Sequence, residues 1–428
     1  MRESSFPPGF RWGTATSAHQ VEGHNVHNDW WAWEAQRGRI KENGRSGAAC
    51  NWWERAEADF DLAAERYQNA HRLSVEWSRI EPRPGQWDDR ALDRYREMLR
   101  ALRHRGIEPM VTLHHFTNPL WFANRGGWER ADAPQLFVRY VERTVPALTE
   151  FTRLWCTLNE PVPWALHAYV TGRWPPGRRS LRAACRVLTA LARGHALAYR
   201  AIHRLQPDAQ VGLAHYFRIF DPASPRSPFD RWVTALQDRI VNRSFLDAVS
   251  SGRVRAFPWV ARIPEAAGTL DFVGVNYYTR DLVAFDLLAP QRLFGRNYLN
   301  PDAPHSDGGY GEIYPEGMYR ALRLAGRYGR PVYVTENGLP DADDDQRGEF
   351  ILSHLRELRR AIEDGVDVRG YYHWSLLDNF EWAEGWTLRF GLIAVDPTTQ
   401  RRTPRPSADL YAQICRRNAL PQEAPTSR

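Results

Sequence analysis

A chain of 428 residues, 43% hydrophobic and 25% charged, suffices for one large barrel or for two to three ordinary domains. The net charge of +6 raises the question of a nucleic-acid partner. The basic residues, nearly all arginine with Lys41 the sole lysine, lie among acidic ones and form no basic block, which argues against it. No apolar run approaches the roughly 18–20 residues of a membrane span, so no membrane partner is expected. The start, Met1 to Pro8, lacks the apolar stretch of a signal peptide, and Cys50, Cys156, Cys185 and Cys415 form no C-x-x-C pair. The expectation is a cytoplasmic protein with reduced thiols, no disulfide framework and no structural zinc.

No linker or repeat divides the chain, and the expectation is one domain over 1–428. Short β-branched or aromatic runs predict strands at 11–17, 72–77, 109–114, 154–158, 210–215, 272–276, 331–335 and 370–375. Amphipathic helices are predicted between them, at 91–105, 134–150, 187–205, 316–328 and 349–363. In the first of these Leu92, Tyr95, Leu99 and Leu102 make one apolar stripe. Eight strands alternating with helices predict an α/β protein, a single (β/α)8 TIM barrel. The cluster Trp30, Trp31, Trp33, Trp52 and Trp53 follows the first strand and either shapes an outer pocket or packs under a loop. The acidic run Asp341 to Asp345 reads as a solvated loop, not a metal site.

The strand exits carry polar and aromatic side chains: Gln20, His115, Asn159-Glu160, His215-Tyr216, Asn276-Tyr277-Tyr278, Glu336-Asn337 and Trp374, with Arg72 inside the second strand. In a barrel these ends share one mouth, where catalytic groups converge. Glu160 and Glu336 each follow an apolar strand and each neighbours an asparagine. Cleaving an acetal near neutral pH needs a proton for the leaving oxygen and an anion for the oxocarbenium-like carbon. Two carboxyls in different environments supply both, with no metal or cofactor.

The segments Thr157-Leu158-Asn159-Glu160-Pro161 and Thr335-Glu336-Asn337-Gly338 resemble the two signatures of family 1 glycoside hydrolases. The opening Phe10 to Gly23 and the stretch Trp374 to Trp382 resemble that family's start and sugar-recognition segment, and the similarity runs from about Phe6 to Tyr411. The resemblance implies a retaining, exo-acting β-glycosidase taking a small β-glycoside or oligosaccharide. Glu160 would be its acid/base and Glu336 its nucleophile. Asn159 would hold the sugar 2-hydroxyl, and Arg72 and Tyr278 would flank Glu336 and keep it ionised. Gln20, His115, Glu381 and Trp382 would grip the outer hydroxyls over a floor of Trp374, with Asn276 and Phe390 completing the substrate-binding set.

Glu160, where plant thioglucosidases of the family carry Gln, implies O-glycoside hydrolysis. Glu381, where the 6-phospho-glycosidases carry Ser, implies an unphosphorylated sugar. β-D-Glucosides lead, with β-galactosides and β-fucosides as further substrates. His115-Phe116-Thr117-Asn118-Pro119 and Val162-Pro163-Trp164 depart from the family's common pattern where the leaving group would bind. A transglycosidase of the same mechanism and a non-catalytic sugar-binding barrel are the alternatives.

Overall fold

The computed structural model describes residues 5–421. Eight parallel strands form its centre: β1 (Arg11–Ala15), β2 (Ala70–Ser74), β3 (Glu108–Thr112), β4 (Leu154–Asn159), β5 (Gln210–Pro222), β6 (Phe272–Phe285), β7 (Val332–Asn337) and β8 (Val368–Trp374). Each pairs with its neighbours in chain order, and β1 with β8 completes the ring. A helix or helical run covers each of the seven crossovers, α1 (Trp52–Glu65), α2 (Asp89–His104), α3 (Ala133–Leu148), α4 (Leu181–Leu205), α5 (Pro228–Asp238), α6 (Glu316–Gly326) and α7 (Arg347–Glu363), and α8 (Pro406–Arg417) follows β8. This is the closed (β/α)8 barrel expected.

Two apolar layers follow from the alternation of strand side chains. Ala15, Ala70, Met110, Cys156, Ala214 and Tyr372 fill the interior of the ring, and a larger cluster lies between strands and helices. The α2 stripe of Leu92, Tyr95, Leu99 and Leu102 is buried in that outer layer. The Asp88 carboxylate caps the helix by accepting from the Arg90 and Ala91 N–H groups.

Several elements differ from expectation. The strand expected at 72–77 is Ala70–Ser74, because Glu76 accepts from the Ser78 N–H and starts a helical turn, Trp77–Ile80. The first strand stops at Ala15, and the helical turn Ala18–Val21 follows, which places Gln20. β5 and β6 run far beyond 210–215 and 272–276. They leave the barrel side by side to Pro222 and Val283, and Gly295–Tyr298 pairs antiparallel along β6.

The acidic run is not merely solvated. Buried Asp341 accepts from the Asp344, Gln346 and Arg347 N–H groups, and Asp344 accepts from Ser407. The tryptophan cluster divides between its two readings. Trp52 packs on Phe60 and His71, and Trp53 on Tyr95, whereas Trp30 lies 4.7 Å from the ring of Trp382, one of the expected sugar-binding residues.

Candidate active site

Arg72 is the hub of the barrel mouth. It is 1% exposed, on β2, and each nitrogen of its guanidinium has a partner. Nη1 donates to Glu336 Oε1 at 2.5 Å, Nη2 to Asn159 Oδ1 at 2.7 Å and Nε to Thr112 Oγ1 at 3.0 Å. Such a charge is tolerated in the interior only when paired and fully hydrogen-bonded. Tyr278, on β6, donates its phenol to the other oxygen of Glu336 at 2.6 Å. Glu336 is thus held from two sides at the end of β7.

Glu160 is held differently. At the end of β4 its φ of 43° lies in the left-handed region, turning the chain from strand to the helical turn Pro161–Leu166. Its N–H donates to the Ala214 carbonyl at 2.8 Å. The carboxyl accepts from Asn276 Nδ2 at 2.8 Å. Asn276 also donates to Asn159 Oδ1 at 3.1 Å and accepts from Thr335 Oγ1 at 2.6 Å. The two glutamates are therefore joined through Arg72, Asn159, Asn276 and Thr335.

These partners give the two carboxyls different acidities. Burial, then the neighbouring charge of Glu336, pushes the Glu160 carboxyl up to about 8, against the pull of Asn276. Burial raises Glu336 as well, but the Arg72 charge and the bonds from Tyr278 and Arg72 oppose it. A buried pair shares one proton near neutrality, and the cationic partner leaves it on Glu160. Burial thus outranks the neighbouring anion as the cause for Glu160. The same site raises Tyr278 well above its ordinary value, so it remains a donor.

The outer half of the pocket joins the remaining expected residues. Gln20 Nε2 lies 2.8 Å from Asn379 Oδ1, 2.9 Å from the Phe380 carbonyl and 3.2 Å from Glu381 Oε2. Trp374 Nε1 donates to Glu381 Oε1 at 3.2 Å. Glu381 therefore has protein partners, where the sequence reading reserved it for a ligand. Burial also pushes it up to about 8, so near neutral pH it is a weaker barrier to a phosphate than an ordinary carboxylate.

The His115 ring stacks against Trp374 at 6.0 Å and Trp382 at 5.9 Å. Its Nε2 accepts from Asn159 Nδ2 at 3.1 Å, which leaves buried Nδ1–H without a partner among the described residues. Burial and Arg72 hold this imidazole neutral. Phe390 is buried beside Tyr278, their ring centres 6.2 Å apart.

All twelve residues given a catalytic or sugar-binding role from the sequence lie in this one connected set, whereas the strand-exit residues His215 and Tyr277 bond the Asn242 and Tyr314 carbonyls. Sequence reasoning missed Thr112, Thr335, Asn379 and Tyr310. Thr335 and Asn379 stand inside the quoted motifs, and Thr112 lies just before the His114-His115 exit. Tyr310, which packs on Tyr278 and Phe390, comes from a loop with no such signal.

Comparison with known proteins agrees with this geometry. The family model described as Glycosyl hydrolase family 1 matches residues 2–420. The chain is 31% identical to Beta-glucosidase A of Thermotoga maritima, over 98% of this chain and 100% of that protein. It is 32% identical to a Beta-galactosidase of Sulfolobus acidocaldarius, over 98% and 96%. Among solved structures, a beta-glycosidase from Pyrococcus horikoshii superposes with a TM-score of 0.93 at 41% identity, over 98% of this chain and 97% of the other. A family match across nearly the whole chain, on a barrel whose mouth gathers the family's signature residues, assigns this protein to glycosyl hydrolase family 1, a family of β-glycoside-cleaving enzymes.

Proposed function

We propose that the protein is a retaining, exo-acting β-glycosidase that hydrolyses unphosphorylated β-D-glucosides by double displacement, with β-galactosides and β-fucosides as further substrates. The observation that carries this is the unequal bonding of the two carboxyls. Glu336 receives a guanidinium and a phenol, groups that stabilise an anion, while Glu160 receives one amide and retains its proton.

In the first step a Glu336 oxygen attacks the anomeric carbon. The glycosidic C–O bond breaks, and the proton on Glu160 passes to the leaving oxygen. Once Glu336 is esterified its negative charge is gone. The Glu160 carboxyl then falls toward its ordinary value and acts as the base that takes a proton from water. Water adds to the anomeric carbon, Glu336 leaves, and Glu160 is reprotonated. Asn159, fixed between Arg72 and Asn276 with Nδ2 toward His115, is suited to the 2-hydroxyl, a contact that tightens in the transition state.

Gln20 and Glu381 offer acceptor oxygens that suit either epimer at C4, in keeping with relatives named for both glucosides and galactosides. His115 Nδ1–H is a free donor for a further hydroxyl. Proton NMR of 4-nitrophenyl β-glucoside turnover tests the reading. The β-sugar is expected as first product, and the α-sugar would overturn the assignment of Glu336 as nucleophile.

A further inference from the structure

The ladder between β2 and β3 is regular, running in register from Ala70 opposite Glu108 to Ser74 opposite Thr112. Side chains alternate along a strand, so Ala70 shares a face with Arg72, and Met110 with Thr112. Ala70 and Met110 fill the interior of the ring, which places Arg72 and Thr112 inside it as well, one layer nearer the mouth. The regular ladder thus fixes where Thr112 stands relative to Arg72.

The two functional partners of the guanidinium are placed otherwise. β4 shifts register against β5 between Cys156 and Asn159, and β7 shifts against both of its neighbours just before Glu336 and Asn337. Such shifts re-aim the side chains at a strand end. Asn159 and Glu336 are therefore aimed by irregular strand ends, and Arg72 must meet both at once, Nη2 on Asn159 and Nη1 on Glu336.

Thr112 supplies the third contact. Its buried Oγ1 accepts from Arg72 Nε at 3.0 Å. Nε is where the planar guanidinium joins its flexible stem, so a bond there sets the rotation of the whole plane and the directions of both Nη groups. Arginine has no acceptor, so the Thr112 hydroxyl keeps its own proton, and it is also hydrogen-bonded to the thiol of Cys156, opposite it in the β3–β4 register. Without the hydroxyl the buried Nε–H would lose its acceptor, a costly state that the guanidinium relieves only by turning away.

The charged and titratable groups that face Glu336 are Arg72 on β2, Cys156 and Glu160 on β4, Tyr278 on β6 and Glu381 after β8. Arg72 is the cation of this set, and its hold on Glu336 depends on where its plane points.

We infer that Thr112 is a positioning residue, whose hydroxyl fixes the guanidinium plane of Arg72 and through it holds Glu336 as an anion and aims Asn159 at the sugar. The inference rests on the reading of Glu336 as the nucleophile.

The test compares wild type, Thr112→Val, Thr112→Cys and Thr112→Ser on 4-nitrophenyl β-glucoside across pH. Valine keeps the shape of threonine and removes the hydroxyl. Thr112→Val is expected to lose about tenfold in kcat with KM changed less than about threefold, because the contacts it loosens tighten in the transition state. The weakened pull of Arg72 lets burial raise the Glu336 carboxyl, so the acidic limb of kcat/KM should move to higher pH by about half a unit or more. Thr112→Ser should keep the wild-type limb, and Thr112→Cys, with a weak acceptor, should move toward the valine variant. A Thr112→Val limb that coincides with wild type, or a Thr112→Ser limb shifted as far as that of valine, would overturn the proposal, whatever the melting temperatures. If Thr112→Val fails to fold, the limb of Thr112→Cys decides in the same way. Carbon NMR of protein labelled at its glutamate carboxyls reads Glu336 without turnover, with Glu336→Gln assigning the signal. If wild type cleaves no glycoside, the catalytic reading fails separately. A Glu336 titration that moves to higher pH in Thr112→Val then upholds the hold of Thr112 on Arg72, and an unmoved one overturns it.

Discussion

Glu160 and Glu336 are the same side chain in two settings, and the two-carboxyl mechanism proposed above rests on the difference between their hydrogen-bond partners. On that proposal, removing the Glu336 carboxylate by Glu336→Gly should abolish turnover of unactivated substrates. Azide should then restore cleavage of an activated aryl glycoside and give the α-azide, because it attacks from the vacated face. A β-azide from this variant would exchange the two assignments. Glu160→Ala should instead spare substrates whose leaving group needs no proton, and azide should give the β-product. Asn276 donates to Glu160 and pulls its carboxyl down against burial. Asn276→Ala should therefore move the alkaline limb of the kcat/KM profile, expected near pH 8 in the wild type, to higher pH. An unmoved limb would mean that another group controls it.

These glutamates were legible because strand-end chemistry is local: an apolar run, an asparagine and a carboxylate stand together in the chain. Their unequal acidity was legible only in outline. Arg72 and Tyr278 lie far away in sequence, and the weight of burial depends on the closed barrel. Tyr310 was not legible as a site residue, since only the folded chain brings its loop against Tyr278 and Phe390.

At the scale of elements, periodic patterns were read well and boundaries less so. The α2 stripe is a simple case, because 3-4-3 spacing of apolar residues has few alternatives. Fully buried Leu99 sits in it, and Leu99→Ala should cost about 2–5 kcal/mol, since a cavity adds to the lost burial. Asp88→Ala at the same helix's cap should cost only about 1 kcal/mol. Denaturant unfolding gives both values, and a cap effect as large as the core effect would contradict this division.

The shift of β2 to Ala70–Ser74 has a comparable cause. Trp77 looks like the end of a strand by composition, but Glu76 is a helix cap, and its hydrogen bond to the Ser78 N–H overrides residue preference. β5 and β6 overran their expected ends because no glycine or proline marks the barrel rim. Pairing continues for as long as the two strands can bond each other.

At the scale of the whole molecule, the buried titratable groups set a pH of best stability. Burial lowers His71 and His354 to about 3 and His114, His195 and His215 to about 4. These imidazoles are neutral in the folded protein but take up protons in the unfolded chain below about 6.5. Stability therefore rises as pH climbs from about 4 to 6.5. Burial acts oppositely on Glu160 and Glu381, each raised to about 8, and on Asp29, raised to about 7. The folded state holds their protons where the unfolded chain has released them, so their contribution is full below about 4 and is lost as pH rises to about 8.

Between about 4.5 and 6.5 the buried histidines and the raised carboxyls act in opposite directions. Above 6.5 only the carboxyls titrate and stability falls. The melting temperature should thus fall between pH 6.5 and pH 8. Glu381→Gln, which cannot ionise, should flatten that alkaline decline while weakening sugar affinity through the loss of an acceptor oxygen. Calorimetric scans from pH 5 to 9 provide the check. A wild-type melting temperature that continues to climb through pH 8, or a variant with the wild-type slope, would show that Glu381 is ionised in the folded protein throughout this range.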